Sequence, residues 1–120
     1  MDAAEYRALR ELLGVTGDHL AGLLGVTPRQ ARKWEQGSAQ VPIGVTAELG
    51  EMVDETNATV AKIVAEHPTD QPLTTYRTDH DMLADHPGTR WTASWHRSVV
   101  ARAVSARPEL QIVYADERPA

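Results

Sequence analysis

Residues 16–37 read TGDHLAGLLGVTPRQARKWEQG, and their reading decides the fold. Thr16 is placed to cap a helix, and Asp18 puts a favourable charge in its first turn. Leu20, Ala21, Leu23 and Leu24 form a short apolar face. Gly25 can take a positive φ and stop that helix at once. Thr27 caps the next helix, with Pro28 at its first position, where a missing N–H costs nothing. This second helix runs to Gln36 and stops at Gly37. The pattern predicts a helix-turn-helix.

The second helix carries two faces. Ala31 and Trp34, spaced i, i+3, turn inward together. Arg29, Gln30, Arg32 and Lys33 point outward. In a helix-turn-helix the second helix lies in the DNA major groove with its N-terminal residues facing base edges. Arginine suits guanine O6 and N7, and glutamine suits adenine N6 and N7. Lysine suits a base or a phosphate. Taken alone, these residues read equally as a solvated cationic face; the capped helix and the single-glycine turn before them favour DNA. Ser38 and Gln40, in the loop SAQVP over 38–42, can donate to phosphate, a contact that positions without reading sequence. An ordinary polar loop accounts for them as well. The DNA-facing set is thus Thr27, Pro28, Arg29, Gln30, Arg32, Lys33, Ser38 and Gln40.

The 120 residues are enough to bury a core, and they contain no cysteine, which excludes disulfides and thiolate metal sites. No apolar run is long enough to span a bilayer. The start, MDAAEYRALRELL, is amphipathic and unlike a signal peptide, so a cytoplasmic protein is expected. Net charge is −5, but its distribution matters more than its sum. Residues 27–41 hold Arg29, Arg32 and Lys33 against Glu35. Residues 48–70 hold Glu48, Glu51, Asp54, Glu55, Glu66 and Asp70 against Lys62. A basic face on an acidic body docks in one orientation and predicts few phosphate contacts and a modest salt slope.

Outward from the motif, residues 3–13 read as a helix with Tyr6, Leu9, Leu12 and Leu13 as its core face, ended by Gly14. Arg10 lies beside that face, and an ion pair with Glu35 is expected to tie this helix to the recognition helix. Two exposed charges would contribute under ~1 kcal/mol; a partly buried pair matters when one partner is lost. Residues 43–66 read as one long helix with an apolar stripe of Val45, Leu49, Met52, Val53, Thr56, Val60, Ile63 and Val64. His67-Pro68 ends it, and residues 68–72 are a linker. Strands are expected over 73–78 and 110–115, the second with Leu110, Ile112 and Tyr114 inward. Helices are expected over 79–85 and 92–107. The latter has Trp95, Val99, Ala103 and Val104 on its inner face and Arg97, Arg102 and Arg107 among its outer residues. The tail DERPA is expected to fray.

The fold class is therefore mainly α. A four-helix helix-turn-helix domain over 1–66, including the long helix, precedes a small strand-helix-helix-strand α+β domain over 67–120. Two strands make no stable sheet alone, and the long helix outruns the first domain. Both point to a homodimer. Val60, Ile63, Val64, Tyr76, Trp95, Val99, Ile112 and Tyr114 are its expected interface.

Catalytic and metal chemistry is not expected. His80 and His86 near Asp79, Asp81 and Asp85 lack a ligand spacing, and a short polar helix explains them. Trp91, Trp95 and His96 could stack a base, but tryptophan more often anchors a small core. Ser94 and Ser98 have no motif of an activated nucleophile. No cofactor is implied.

Residues 3–66 resemble the Cro/repressor class of helix-turn-helix, on Arg10, the run LAGLLGVTPRQARKWEQG and Val41-Pro42. The whole chain resembles the YdiL-like family, which includes regulators associated with anti-CRISPR operons. The carriers are TPRQARKWEQGSAQVP, TYRTDHDMLADHPG and the helix around Trp95. The resemblance implies a homodimer with C-terminal contacts and two recognition helices on an inverted repeat of double-stranded DNA. It also implies repression of an operon, often the regulator's own. By match to the class, Arg29, Arg32 and Lys33 fall at base-facing positions. Pro28 falls at another and offers no donor, which moves the reading onto Arg29. Three rivals stay open at this point. The chain could be an antitoxin whose residues 68–120 bind a toxin, an interaction module without DNA binding, or a small enzyme in the C-terminal half.

Overall fold

A computed structural model describes residues 1–118. Its elements are α1 (Ala3–Leu13), α2 (Gly17–Leu23), α3 (Pro28–Gln36), α4 (Ile43–Glu66), β1 (Leu73–Thr75), α5 (Asp79–Asp85), α6 (Ala93–Ala106), β2 (Ile112–Tyr114) and a 3₁₀ turn, Ala115–Glu117. The fold is mainly helical, with one small parallel sheet.

Local chemistry sets most of these limits. Side chains of Asp2, Thr16, Thr27, Thr78 and Thr92 each accept a backbone N–H at the start of a helix, satisfying a donor the helix itself leaves unpaired. The ends of α2 and α3 share one device. Gly25 (φ 71°) and Gly37 (φ 77°) take the left-handed conformation. Val26 N–H then reaches Ala21 O at 3.0 Å and Ser38 N–H reaches Lys33 O at 3.0 Å. These are Schellman closures, which hold the last carbonyls of each helix.

The chain divides into two compact units inside α4, after Glu55. The division falls there, and not after residue 66, because the second half of α4 packs with the C-terminal elements. In the first unit Tyr6, Leu13, Leu20, Ala21, Trp34 and Leu49 are buried, and Tyr6 meets Trp34 edge to face at 5.8 Å. Leu12, expected inside, is 37% exposed. At about 100° per residue it lies some 120° around α1 from Tyr6, whereas Leu13 returns nearly to the same line.

In the second unit, Leu73, Val100, Ala103 and Leu110 form a buried cluster, with Val60, Ile63, Val64 and Val104 packed against it. Trp91 stacks on Trp95 at 4.7 Å, and Trp95 Nε1 donates to the buried Thr56 Oγ1 at 3.0 Å. The strands pair in parallel with Leu73 opposite Ile112 and Thr75 opposite Tyr114. Helices α5 and α6 supply the crossover that a parallel pair requires.

Both strands are shorter than the sequence pattern suggests. Leu110 is buried but belongs to the turn after α6, its N–H bound to Arg107 O at 3.1 Å. The inward alternation expected from Leu110 through Ile112 is therefore interrupted, and Ile112 is 38% exposed. Of the tail, residues 115–117 turn, and Arg118 N–H closes on Ala115 O at 3.4 Å. They are not frayed. The expectation for residues 119–120 lies outside the described residues.

Candidate nucleic-acid interface

Helix α3 sits on a floor made by its inner face. Ala31 and Trp34 are buried, which fixes the rotation of the helix and turns Arg29, Arg32 and Lys33 to solvent, with Gln30 half-buried. The N-cap oxygen of Thr27 is occupied by Gln30 N–H at 3.1 Å, so Thr27 shapes the helix entry. Pro28 is exposed at the first helical position and brings no donor.

The partners of the outward side chains differ. Among the described residues, the side chains of Arg29, Gln30 and Lys33 have no hydrogen bond or ion pair. Arg32 comes within 3.8 Å of Asp18, both largely exposed; such a pair contributes little. Asp18 is a neighbour that the sequence reading missed, because α2 and α3 meet only after the turn is built. Gln40 is exposed and also unpartnered among the described residues. Ser38 is exposed, but its hydroxyl donates to Lys33 O at 3.3 Å, so donation to a phosphate would require it to release the end of α3.

Below this face, Arg10 Nε donates to Glu35 Oε1 and Arg10 Nη1 donates to Val15 O at 3.1 Å. The two charged side chains are only 16% and 21% exposed. One guanidinium thus joins α1, the loop before α2, and α3. Among the described residues, the hydroxyl of Tyr6 and Nε1 of Trp34 are buried without a hydrogen-bond partner. Burial, with the Glu35 carboxylate nearby, pushes the Tyr6 phenol up to about 12.

The second unit treats its cations differently. Arg77 binds Asp116 at 2.8 Å and covers the Tyr114 ring at 4.1 Å. Arg97 Nη1 donates to Tyr76 O at 2.6 Å and Arg102 Nη2 to Asn57 at 2.6 Å. Arg107 donates to Val64 O at 3.1 Å, to His67 O at 2.7 Å and to Thr69, closing the C-terminus of α4. The outer residues expected on α6 are therefore structural.

The histidine-aspartate segment is also absorbed by the fold. Asp79 accepts from Ala93 N–H at 2.8 Å. Tyr76 Oη donates to Asp85 at 3.0 Å and lies 3.0 Å from His86 Nε2. His96 Nδ1 lies 2.8 Å from Thr75 Oγ1, with the Tyr76 ring edge-on at 4.9 Å. Burial, and secondarily His86, lower His96 to about 4. Among the described residues no three His, Asp or Glu side chains converge on a metal position.

Of the expected interface residues, Tyr76, Trp95 and Val99 are buried within the unit, Val99 completely, and they have no face left for a partner. This corrects their placement: the core consumes them. Val60, Ile63, Val64 and Tyr114 are half-buried, and Ile112 is exposed.

A family model described as Aca2/YdiL-like matches residues 1–110, which takes in every helix from α1 to α6. The chain belongs to the Aca2/YdiL-like family. No curated protein matches it. Membership places this Aca2/YdiL-like chain among regulator-type proteins. Among the described residues no helix is long and apolar enough to cross a membrane.

Proposed function

We propose that this protein is a sequence-specific DNA-binding transcriptional repressor, acting as a homodimer on an inverted repeat and controlling its own operon. One observation carries the reading. The outer face of α3 presents Arg29, Gln30 and Lys33 without side-chain partners among the described residues, on a helix pinned by buried Ala31 and Trp34. A guanidinium held in this way is free to take guanine O6 and N7, a contact that contributes about 1–3 kcal/mol of discrimination. The Cro/repressor-like order of capped helix, glycine turn and proline-led helix supports the same docking. The protein is read as a cytoplasmic binding protein, without catalysis or cofactor.

The test is fluorescence anisotropy with the duplex upstream of the protein's own gene, a scrambled duplex, and the Arg29→Ala variant, at two salt concentrations. Tight binding to the first duplex, lost on scrambling and relaxed in the variant, is expected. Equal weak binding to both duplexes would sink the reading and turn attention to a protein partner such as a toxin.

A further inference from the structure

Folding sets one acid of α2 beside the outer face of α3. Asp18 is the second residue of α2, where the unpaired N–H groups of a helix start favour a negative charge. Its Oδ1 lies 3.8 Å from Arg32 Nη1, with the Asp18 side chain 78% exposed and that of Arg32 61% exposed. Asp18 has no other side-chain partner among the described residues. The cap of α2 is Thr16, whose hydroxyl accepts His19 N–H at 3.1 Å. The carboxylate is thus not the group that starts the helix, and an ion pair this exposed adds little to folding.

At a DNA surface the same pair matters more. In a docked helix-turn-helix the second helix enters the major groove while the first crosses the phosphate backbone. An acid at the start of α2 then stands on the backbone side of Arg32. A phosphate taken by Arg32 would share one guanidinium with Asp18, and like charges brought together at an interface are costly. A base edge meets no such conflict. With Nη1 turned to Asp18, Arg32 keeps Nε and Nη2, two parallel donors of the kind that takes guanine O6 and N7. Arg29 and Lys33 have no acid beside them among the described residues, so Arg32 is singled out from the other cations of α3.

We infer that Asp18 is a specificity-determining residue, which withholds Arg32 from phosphate and leaves it to a base. On a duplex of the wrong sequence Arg32 finds no guanine, and Asp18 opposes the phosphate contact it would otherwise make. On the right sequence Nε and Nη2 take the base, while Asp18 holds the far side of the guanidinium. Discrimination is a difference of affinities, so an element that weakens the wrong complex raises it without any new contact to the right one. The inference rests on the DNA-binding reading above, and it gives a role in recognition to a residue outside the recognition helix.

The test is a salt titration of the full chain on the upstream duplex and on a scrambled duplex, with Asp18→Asn, Asp18→Glu, Arg32→Ala and the Asp18→Asn/Arg32→Ala pair. Asp18→Asn is expected to bind the scrambled duplex about fivefold more tightly and the upstream duplex within about twofold of wild type. On the scrambled duplex its plot of log affinity against log salt should steepen by about 0.9, one further phosphate. Asp18→Glu keeps the charge and should keep wild-type selectivity. With Arg32→Ala already present, Asp18→Asn should leave scrambled-duplex binding within about twofold. A selective wild type with an equally selective Asp18→Asn overturns the inference and leaves the repressor reading standing. An equal gain with and without Arg32 also overturns it, since Asp18 would then act on phosphates alone. A wild type that binds both duplexes equally overturns both readings.

Discussion

Helix α3 of the first unit and the arginines of the second handle positive charge in opposite ways. On α3, Arg29 and Lys33 stand exposed with no side-chain partner among the described residues, and Arg32 has only an acid 3.8 Å away across solvent. In the second unit Arg77, Arg97, Arg102, Arg107 and Arg118 each hydrogen-bond a named carboxylate, amide or carbonyl. The α6 arginines look, in sequence, as much like a cationic face as those of α3. What separates them is the company of partners that folding brings. A basic helix is evidence for a polyanion only once its cations are seen to be uncommitted.

That contrast predicts a separation of stability from recognition. Arg107→Ala should have the largest effect on folding. Its side chain is 17% exposed, and its loss strands carbonyls at the end of α4. A cost of about 3 kcal/mol is expected in urea unfolding, with no change in DNA preference. A loss below about 0.5 kcal/mol would mean that water replaces the guanidinium easily, and the contrast between the units would weaken.

Arg10→Ala should follow at about 2 kcal/mol, since it leaves Glu35 partly buried and uncompensated. A double-mutant cycle with Glu35→Ala measures the coupling. Coupling near zero would show that Arg10 acts only through Val15 O. Within the first unit Arg10 is a cation serving the fold beneath a face of free ones, while Arg7 pairs on the surface with Glu11 at 2.8 Å.

His96 gives a pH-dependent version of the same test. Its folded value is about 4 against 6.5 in a model peptide. Stability from its neutral, buried form is complete above 6.5 and is lost as pH falls from there toward 4, because the unfolded chain binds the proton first. The groups around it are Thr75, Tyr76, His86 and Trp95. The melting temperature should therefore drop between pH 7 and 5, and by less in His96→Asn. Equal drops in both proteins would place the acid sensitivity elsewhere.

Smallest of all should be the effect of Arg29→Ala on unfolding, within about 0.5 kcal/mol of wild type, whatever it does to DNA binding. A clearly destabilised variant would show that Arg29 serves the fold, and the comparison between the units would fail at its key residue.

Much of the first unit was legible in the sequence. Thr16 and Thr27 cap, Gly25 and Gly37 stop, and Ala31 with Trp34 face inward, because each role depends on residues no more than five positions away. The long helix over 43–66 and the helix over 79–85 were legible for the same reason. Leu12 was misplaced because spacing gives a stripe without its edges. In the second unit, Val99, Trp95, Tyr76 and Ile112 were all assigned to a partner, and the first three are instead buried in the core, whereas Ile112 stays exposed. Their burial is decided by contacts such as Trp95 with Thr56 and Leu73 with Ile112, which lie 39 residues apart in each case.

By itself, then, the sequence determined where helices begin and end, which face of α3 is apolar, and where its cations sit. Caps, glycine turns and helical spacing are local, and their energies are settled within a turn or two of chain. Only the tertiary structure decided that β1 and β2 run parallel, that Arg107 closes α4, that Ser38 is engaged, and that Ile112 is left at an open edge. Those outcomes depend on which distant groups meet, and no local rule carries that information.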